Sequence, residues 1–398
     1  MGSIVILTQY FLPEIGAPQS RLYETAVGLR ERGWDVHIVT AMPNYPTGEI
    51  FTKYKGRFHF KDNVDGFNVL RYTLYPSNLP KKLPRIFSML SFSFTAAFSV
   101  FKLKRLKPDF IITESPPLAL GLTGLFLSRM TGAKHILNIS DLWPLSAYEL
   151  GALSEGALYR AITKLEKFLY RKSYACTGQS NEIINHIQKE GGRKVHLFRN
   201  GVDVGRFGKT PLHTRPDNGK FVIAYTGLLG IAQGIAGICR HIAFTELNAE
   251  FHIYGEGSER ADIEEYIKDH PGCGVIYHGS VKRTDIPAIL SGADVTLIPL
   301  IKSIKGAVPS KIYESMAAGV PIIFSGGGEG ADIVNTYDVG WVCSPRKYNE
   351  ISACIQQVAN GDKSVLINKK SNCIAAAKDV FSREIQTEQL HRFLLQEQ

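Results

Sequence analysis

A lysine and a glutamate three residues apart, in Ala307-Val-Pro-Ser310-Lys311-Ile-Tyr-Glu314-Ser-Met-Ala-Ala-Gly319, form the pair in this chain best suited to holding a charged ligand. Pro309 and Ser310 read as the start of a helix that Gly319 ends. At that spacing Lys311 and Glu314 share the first exposed face of the helix. A lysine near a helix N-terminus opposes the macrodipole unless an anion sits there too. Glu314 offers two acceptor oxygens, the natural partner for the cis-diol of a ribose. A phosphate on Lys311 and a ribose on Glu314 would together hold a nucleoside diphosphate. The same two residues also suit an ordinary surface ion pair, which contributes little.

A second candidate is the loop Pro13-Glu-Ile-Gly16-Ala-Pro-Gln-Ser-Arg21, which follows the first apolar run. Gly16 lets a backbone approach a ligand closely, and the N-terminus of the helix behind it favours negative charge, so a diphosphate would fit. A tight turn is the competing reading. The run is neither Gly-x-Gly-x-x-Gly nor Gly-x-x-x-x-Gly-Lys-Ser/Thr, so dinucleotide and P-loop readings lose their main support. Six cysteines form no Cys-x-x-Cys pair and no Cys/His cluster at zinc spacing, which fits reduced, mostly buried thiols. No Asp-x-Asp occurs, so no carboxylate-held metal is expected.

The elements that must position these residues alternate between strand and helix patterns. Strands fit Ile4–Thr8, Asp35–Thr40, Asn68–Thr73, Phe110–Thr113, His135–Ile139 and Val195–Phe198, with a helix from about Ser20 to Arg32 stopped by Gly33. The alternation restarts after a polar, turn-rich stretch, with strands at Lys220–Thr226, Glu250–Tyr254, Gly274–His278, Val295–Pro299 and Val320–Phe324. Alternation of this kind implies parallel sheets covered by helices on both faces. With 398 residues, 44% of them hydrophobic, two such domains are expected. The first spans residues 1–203, with a C-terminal helix from about 380 to 398 returning to it; the second spans 204–379, with a hinge near 203–219. Ligands of such sheets bind at the carboxyl ends of the strands.

The net charge of +9 is unevenly spread. Residues 1–200 hold 26 Lys/Arg against 15 Asp/Glu, and the remainder 20 against 22. The first half is therefore expected to meet something acidic. No zinc-finger spacing, aromatic RNA-binding signature or continuous basic helix accompanies the charge, so nucleic acid is not the expected partner. Ile86–Phe101 is the most apolar stretch, flanked by Lys81, Lys82 and Arg85 and by Lys102, Lys104, Arg105 and Lys107. Its sixteen residues fall short of the ~20 needed to span a bilayer. Such flanks suit an element lying on an anionic membrane, and equally a packed helix whose charged ends face water. The opening run Ser3–Thr8 lacks a preceding basic stretch and reads as a buried strand rather than a signal peptide.

In chain order, Gln9-Tyr-Phe-Leu-Pro-Glu-Ile-Gly16, Pro43-Asn-Tyr-Pro-Thr-Gly48, Asp141-Leu-Trp-Pro144, Asn200-Gly-Val-Asp203, Tyr225-Thr-Gly-Leu-Leu-Gly230-Ile-Ala-Gln-Gly234, Tyr254-Gly-Glu-Gly257, His278-Gly-Ser-Val281, Asp294–Leu300 and the Lys311/Glu314 helix resemble the retaining family-4 glycosyltransferases of the GT-B fold. Among these the chain looks most like the WbuB-like bacterial transferases of surface-polysaccharide assembly. The resemblance covers nearly the whole chain and implies an α/β fold of two doubly wound Rossmann-like domains facing across a cleft. It also implies a nucleoside diphosphate sugar, most often a UDP-sugar, as donor. Carried over by position, Glu314 would take the ribose hydroxyls. Gly255 and the backbone around Val281 would contact the base. Ser310, Lys311 and Gln233, in the turn that also holds Gly230, would line the diphosphate, and Gly16 would meet the same phosphates and the sugar.

Departures from the family pattern are specific. Gly306 stands where many relatives carry a first glutamate near the donor sugar. Leu228 and Gln233 stand where an arginine and a lysine often hold the diphosphate, which leaves Lys311 as the substitute. Glu114 of Thr113-Glu-Ser-Pro-Pro117 aligns with a histidine common in relatives. Glu114 and Asp141 are candidates to orient the acceptor or steady the sugar, or are polar groups satisfied at strand ends. The implied reaction is metal-independent, needs no cofactor, and moves a hexosyl- or N-acetylhexosaminyl-type sugar. The expected acceptor is a lipid-linked saccharide, as in O-antigen or capsule synthesis. The expected place is cytoplasmic, peripheral to the inner face of the cytoplasmic membrane. A noncatalytic nucleotide-sugar binding subunit and a GT-B nucleotide-sugar epimerase are the rivals.

Overall fold

A computed structural model describes residues 2–77, 82–208 and 219–398. The chain divides into two compact units, residues 1–199 with 386–398 and residues 200–385. The division thus falls at Arg199/Asn200. Most of the expected hinge, residues 209–218, lies outside the described residues, as does Lys81.

Unit 1 is built on eight strands: β1 (Ser3–Leu7), β2 (Asp35–Ala41), β3 (His59–Val64), β4 (Phe67–Tyr72), β5 (Phe110–Ser115), β6 (Lys134–Ile139), β7 (Ala175–Gly178) and β8 (Val195–Leu197). Their order is β3-β4-β2-β1-β5-β6-β7-β8, parallel except for β3, which runs antiparallel to β4. The hairpin turns on Asp65-Gly66, both with positive φ. It escapes the sequence reading because β3 is mostly polar and exposed, as an edge strand can be. β1 is buried on both faces: Ile4 and Ile6 join Leu22, Leu29 and Ile38, while Val5 and Leu7 join Phe92, Leu120 and Ile111. The C-terminal helix Arg383–Gln396 closes this unit, with the Trp34 indole donating to His391 Nδ1 at 2.9 Å and Arg32 paired with Glu388 at 2.8 Å.

Unit 2 has six parallel strands: β9 (Phe221–Thr226), β10 (Ala249–Tyr254), β11 (Val275–Gly279), β12 (Val295–Pro299), β13 (Ile322–Ser325) and β14 (Gly340–Cys343). Their order is β11-β10-β9-β12-β13-β14. In both sheets the chain runs outward on one side of a central strand and then resumes on the other. The switch points lie between β1 and β5 and between β9 and β12, where a ligand crevice forms beyond the carboxyl ends. The Gly16 loop and Glu114 sit at the first switch point. The Gly227–Gly234 turn, and the loop from β12 that leads to Lys311, sit at the second.

Residues 82–106 are helical throughout, as two α-helices joined by one 3-10 turn. The helical run Ile86–Leu106 has 21 residues, its most apolar 18-residue window has a mean hydropathy of 1.6, and by length and composition alone it could cross a membrane. It extends the sixteen-residue apolar stretch through Lys102, Lys104 and Arg105. Phe92, Ala96, Val100 and Leu103 on one side are nevertheless part of the unit 1 core.

Candidate functional site

In unit 2 the helix Ser310–Ala317 starts at Pro309, has no side-chain cap, and ends before Gly319 at φ +67°. Ile312, Tyr313, Ser315 and Met316 face the core, so Lys311 and Glu314 are left at the surface of the sheet's carboxyl end, each half-buried. They do not pair with one another. Glu314 lies 3.6 Å from the Arg206 guanidinium, on the short helix that follows Asn200-Gly-Val-Asp203. Lys311 instead runs its stem across Gly227, where a Cβ would lie 2.4 Å from Cε, and its ammonium sits 5.4 Å from the Tyr225 ring centre. No described residue gives that ammonium a hydrogen bond or ion pair. Burial pulls its pKa down, an effect that the charge of Glu314 partly opposes.

The glycine turns around it are packed backbone to backbone. A Cβ on Gly255 would lie 1.8 Å from the Gly227 carbonyl oxygen, and one on Gly257 would lie 2.2 Å from that of Leu229. Hydrogen bonds from Gly227 N to Tyr254 O and from Leu229 N to Glu256 O, both 2.8 Å, continue the β9–β10 pairing beyond the strands. Gly255 is therefore glycine first because of this close approach. Gln233 folds over Gly230, its buried Oε1 without a protein partner. Ser310 opens the Lys311 helix. Val281 lies just past β11, and its backbone N–H and C=O bond no other described residue.

In unit 1 the carboxyl end is arranged differently. Glu114, Asn138 and Thr177 are register partners on β5, β6 and β7. Asn138 donates to Glu114 Oε2 and Thr177 donates to Asn138 Oδ1, each at 2.6 Å, and the buried Arg21 guanidinium takes Glu114 Oε1. With both oxygens engaged and 6% exposure, Glu114 stands in this structure as an internal counter-ion for Arg21, a polar group satisfied at a strand end. Asp141, beyond β6, accepts from Ser146 Oγ at 2.8 Å, and burial raises its pKa. Gly16 is extended (φ 177°) and caps the helix Ala17–Glu31 without a side-chain bond. Its loop is anchored by two residues that the sequence left unassigned. Glu14 accepts from Asn44 N (2.8 Å), Tyr45 N (2.9 Å) and Phe11 N (3.3 Å). Arg71, fully buried, bonds Leu12 O at 2.5 Å and Asp62 at 2.9 Å. Nothing in the local sequence signals either role, because the partners are distant in the chain.

All six cysteines are free thiols, and among the described residues no group of three or more His, Cys, Asp or Glu could hold a metal.

Comparisons with known proteins agree with this layout. Residues 16–201 match the family model of the glycosyl transferase 4-like domain, and residues 212–380 match that of glycosyl transferases group 1. The chain belongs to the GT-B glycosyltransferases of family 4. It is 24% identical to the putative colanic acid biosynthesis glycosyl transferase WcaI of Escherichia coli over 92% of both chains. It is 25% identical to the probable glycosyltransferase WbjE of Pseudomonas aeruginosa, over 65% of this chain and 68% of that one. Among solved structures it resembles sucrose-phosphate synthase of Thermosynechococcus elongatus (TM-score 0.76, 16% identity, all of both chains). It also resembles Anabaena HepE in complex with UDP-glucose (TM-score 0.70, 17% identity, all of both chains).

Proposed function

We propose that the protein transfers a sugar, with retention at the anomeric carbon, from a UDP-sugar to a lipid-linked saccharide in the assembly of a bacterial surface polysaccharide, in the manner of WbuB-like transferases. The observation that carries this reading is the half-buried Lys311 ammonium without a protein partner, one turn from Glu314 at the switch point of the unit 2 sheet. A desolvated cation without a counter-ion is costly and is stabilised by an anionic ligand. Lys311 and the first N–H groups of its helix face the diphosphate, Glu314 takes the ribose hydroxyls, and Val281 presents free backbone groups to the base. The acceptor oxygen attacks the anomeric carbon while the bond from that carbon to the phosphate oxygen breaks. The acceptor proton passes to the departing diphosphate. Negative charge grows on the leaving group, where Lys311 stabilises it without a metal. Names of relatives that bind UDP-glucose or act in colanic acid synthesis support the donor and pathway readings.

The acceptor reading draws on unit 1. Phe87, Leu90, Phe94, Phe98 and Phe101 form an exposed stripe at helical spacing, beside exposed Lys102, Lys104 and Arg105. Lys61 and Arg105 crowd Lys102 enough to pull its pKa down, a repulsion that an anionic bilayer surface would relieve. The protein would thus work peripherally on the inner face of the cytoplasmic membrane.

Incubation of labelled UDP-sugars with lipid-linked saccharide tests the reading. Transfer supports it, interconversion of the free nucleotide sugar would indicate an epimerase, and bound donor alone a binding subunit. Glu314→Ala should weaken UDP binding by ~1.5–3 kcal/mol, the contribution of a hydrogen bond to an ionised group; an undiminished UDP-induced thermal shift would refute the ribose assignment. Flotation with vesicles should require anionic lipid and weaken when Lys102, Lys104 and Arg105 become Glu.

A further inference from the structure

We propose that Glu14 is a positioning residue: it locks the Gly16 loop to the loop Pro43–Gly48, so that the two act as one body during sugar transfer. The inference rests on the transferase reading and deepens it. Glu14 is 1% exposed, yet among the described residues its oxygens accept only backbone N–H groups, two from the loop after β2 (Asn44 and Tyr45) and one from its own loop (Phe11). Burial pushes its pKa up, and these three bonds with the Arg71 charge act against that rise. Arg71 itself is taken by Asp62 and by Leu12 O. An acceptor on both oxygens is what this triad of donors demands. A glutamine could keep the Asn44 and Tyr45 bonds on its carbonyl oxygen and would turn N–H toward N–H only at Phe11, so breaking the lock takes a side chain without an acceptor.

What the lock holds is at the surface. Ile15, next along the loop, is 82% exposed, and Gly16 beyond it has no side chain to anchor the turn. On the other loop the Tyr45 ring is 40% exposed and stands edge-on to Tyr10, with centroids 6.2 Å apart. Gly16, assigned by resemblance to the donor, and Tyr45, an aromatic face open to a saccharide ring, are thereby fixed relative to one another through one buried side chain. A shift of ~1 Å between reacting groups costs on the order of 100-fold in rate.

The test compares wild type with Glu14→Leu, which keeps the bulk and removes both acceptor oxygens, in three measurements: kcat with UDP-sugar and lipid-linked acceptor, UDP affinity by calorimetry, and hydrogen exchange at the Asn44 and Tyr45 amides. The expected result is exchange faster by roughly tenfold or more and kcat lower by roughly 10- to 100-fold. UDP affinity should fall less than kcat, because most of the nucleotide residues lie in unit 2 and the Gly16 loop would meet only the phosphates. Glu14→Asp, which keeps the charge on a shorter stem, should recover part of the rate and serves in place of Glu14→Leu if the latter does not fold. Unchanged exchange overturns the lock. Faster exchange with unchanged kcat overturns its role in transfer, as does UDP affinity that falls in step with kcat. A wild type that neither binds UDP nor transfers sugar overturns the underlying reading and this proposal together, and the UDP measurement tells that failure from the others.

Discussion

The carboxyl ends of the two sheets solve opposite problems with the same architecture. In unit 1 the acidic side chains are spent on the protein itself: Glu114 on Arg21 and Asn138, Glu14 on three backbone N–H groups, Asp141 on Ser146. In unit 2 the corresponding end is shaped by glycine backbones in contact, and its polar side chains are left incomplete, with Lys311 unpaired and Gln233 Oε1 buried without a donor. A self-satisfied end fixes loops in place, whereas an incomplete one is stabilised by its ligand. Under the proposed function, the difference separates residues that set geometry from residues that would hold the donor.

The sharpest way to break the comparison is Lys311→Met, which keeps the apolar stem over Gly227 and removes the charge. If Lys311 exists for an anion, turnover should fall by about 10²–10³, as when a single group stabilising a transition-state charge is lost. The free protein should melt no lower, because a partly desolvated charge without a counter-ion has been removed. A lower melting temperature with retained turnover would show that Lys311 belongs to the fold instead.

The sequence carries the parts of this arrangement that depend on local pattern. Apolar runs mark most strands of both sheets, those of unit 2 ending in glycine or proline, and the Pro309–Gly319 punctuation marks the helix of Lys311 and Glu314, because burial and backbone freedom are written residue by residue. The polar edge strand β3 and the short strands β7 and β14 lack that signature. The roles of Glu14, Arg71 and Arg206 are invisible for another reason. Each acts on a partner brought near only by the topology, and the register that sets Glu114 opposite Asn138 and Thr177 exists only once β5, β6 and β7 are paired.

Two glycines of the donor turns sharpen the comparison next. Gly255 has φ +155° and no room for a Cβ against the Gly227 carbonyl, a backbone atom that cannot move alone. Gly255→Ala should therefore destabilise unit 2 by about 3 kcal/mol, the scale of strain plus overpacking. At Gly230 a Cβ would meet only the far end of the Gln233 side chain, at 2.9 Å. Gly230→Ala should cost no more than about 1 kcal/mol, within the range of ordinary tolerated substitutions. Equal losses in denaturant melts of the two variants would erase the distinction between a packed turn and one with a yielding neighbour.

An effect smaller than the loss at Gly255 should distinguish the units by acid. In unit 1, His135 is buried between Thr113 Oγ1 and Ser173 Oγ, each 3.0 Å from a ring nitrogen, and burial lowers its pKa from 6.5 to about 3. The native state thus keeps this imidazole neutral while the unfolded chain protonates it. Below pH 6.5 the unfolded state binds the extra proton, so stability is complete above that value and declines as pH falls toward 3. At pH 5 the loss amounts to about 2 kcal/mol, from 1.36 kcal/mol per unit over the interval below 6.5. Denaturation of wild type and His135→Gln at pH 7.5 and pH 5 measures it, since the amide does not titrate. The wild type should lose that much more stability on acidification than the variant. Parallel pH profiles would mean that the acid sensitivity of unit 1 arises elsewhere than in its self-satisfied core.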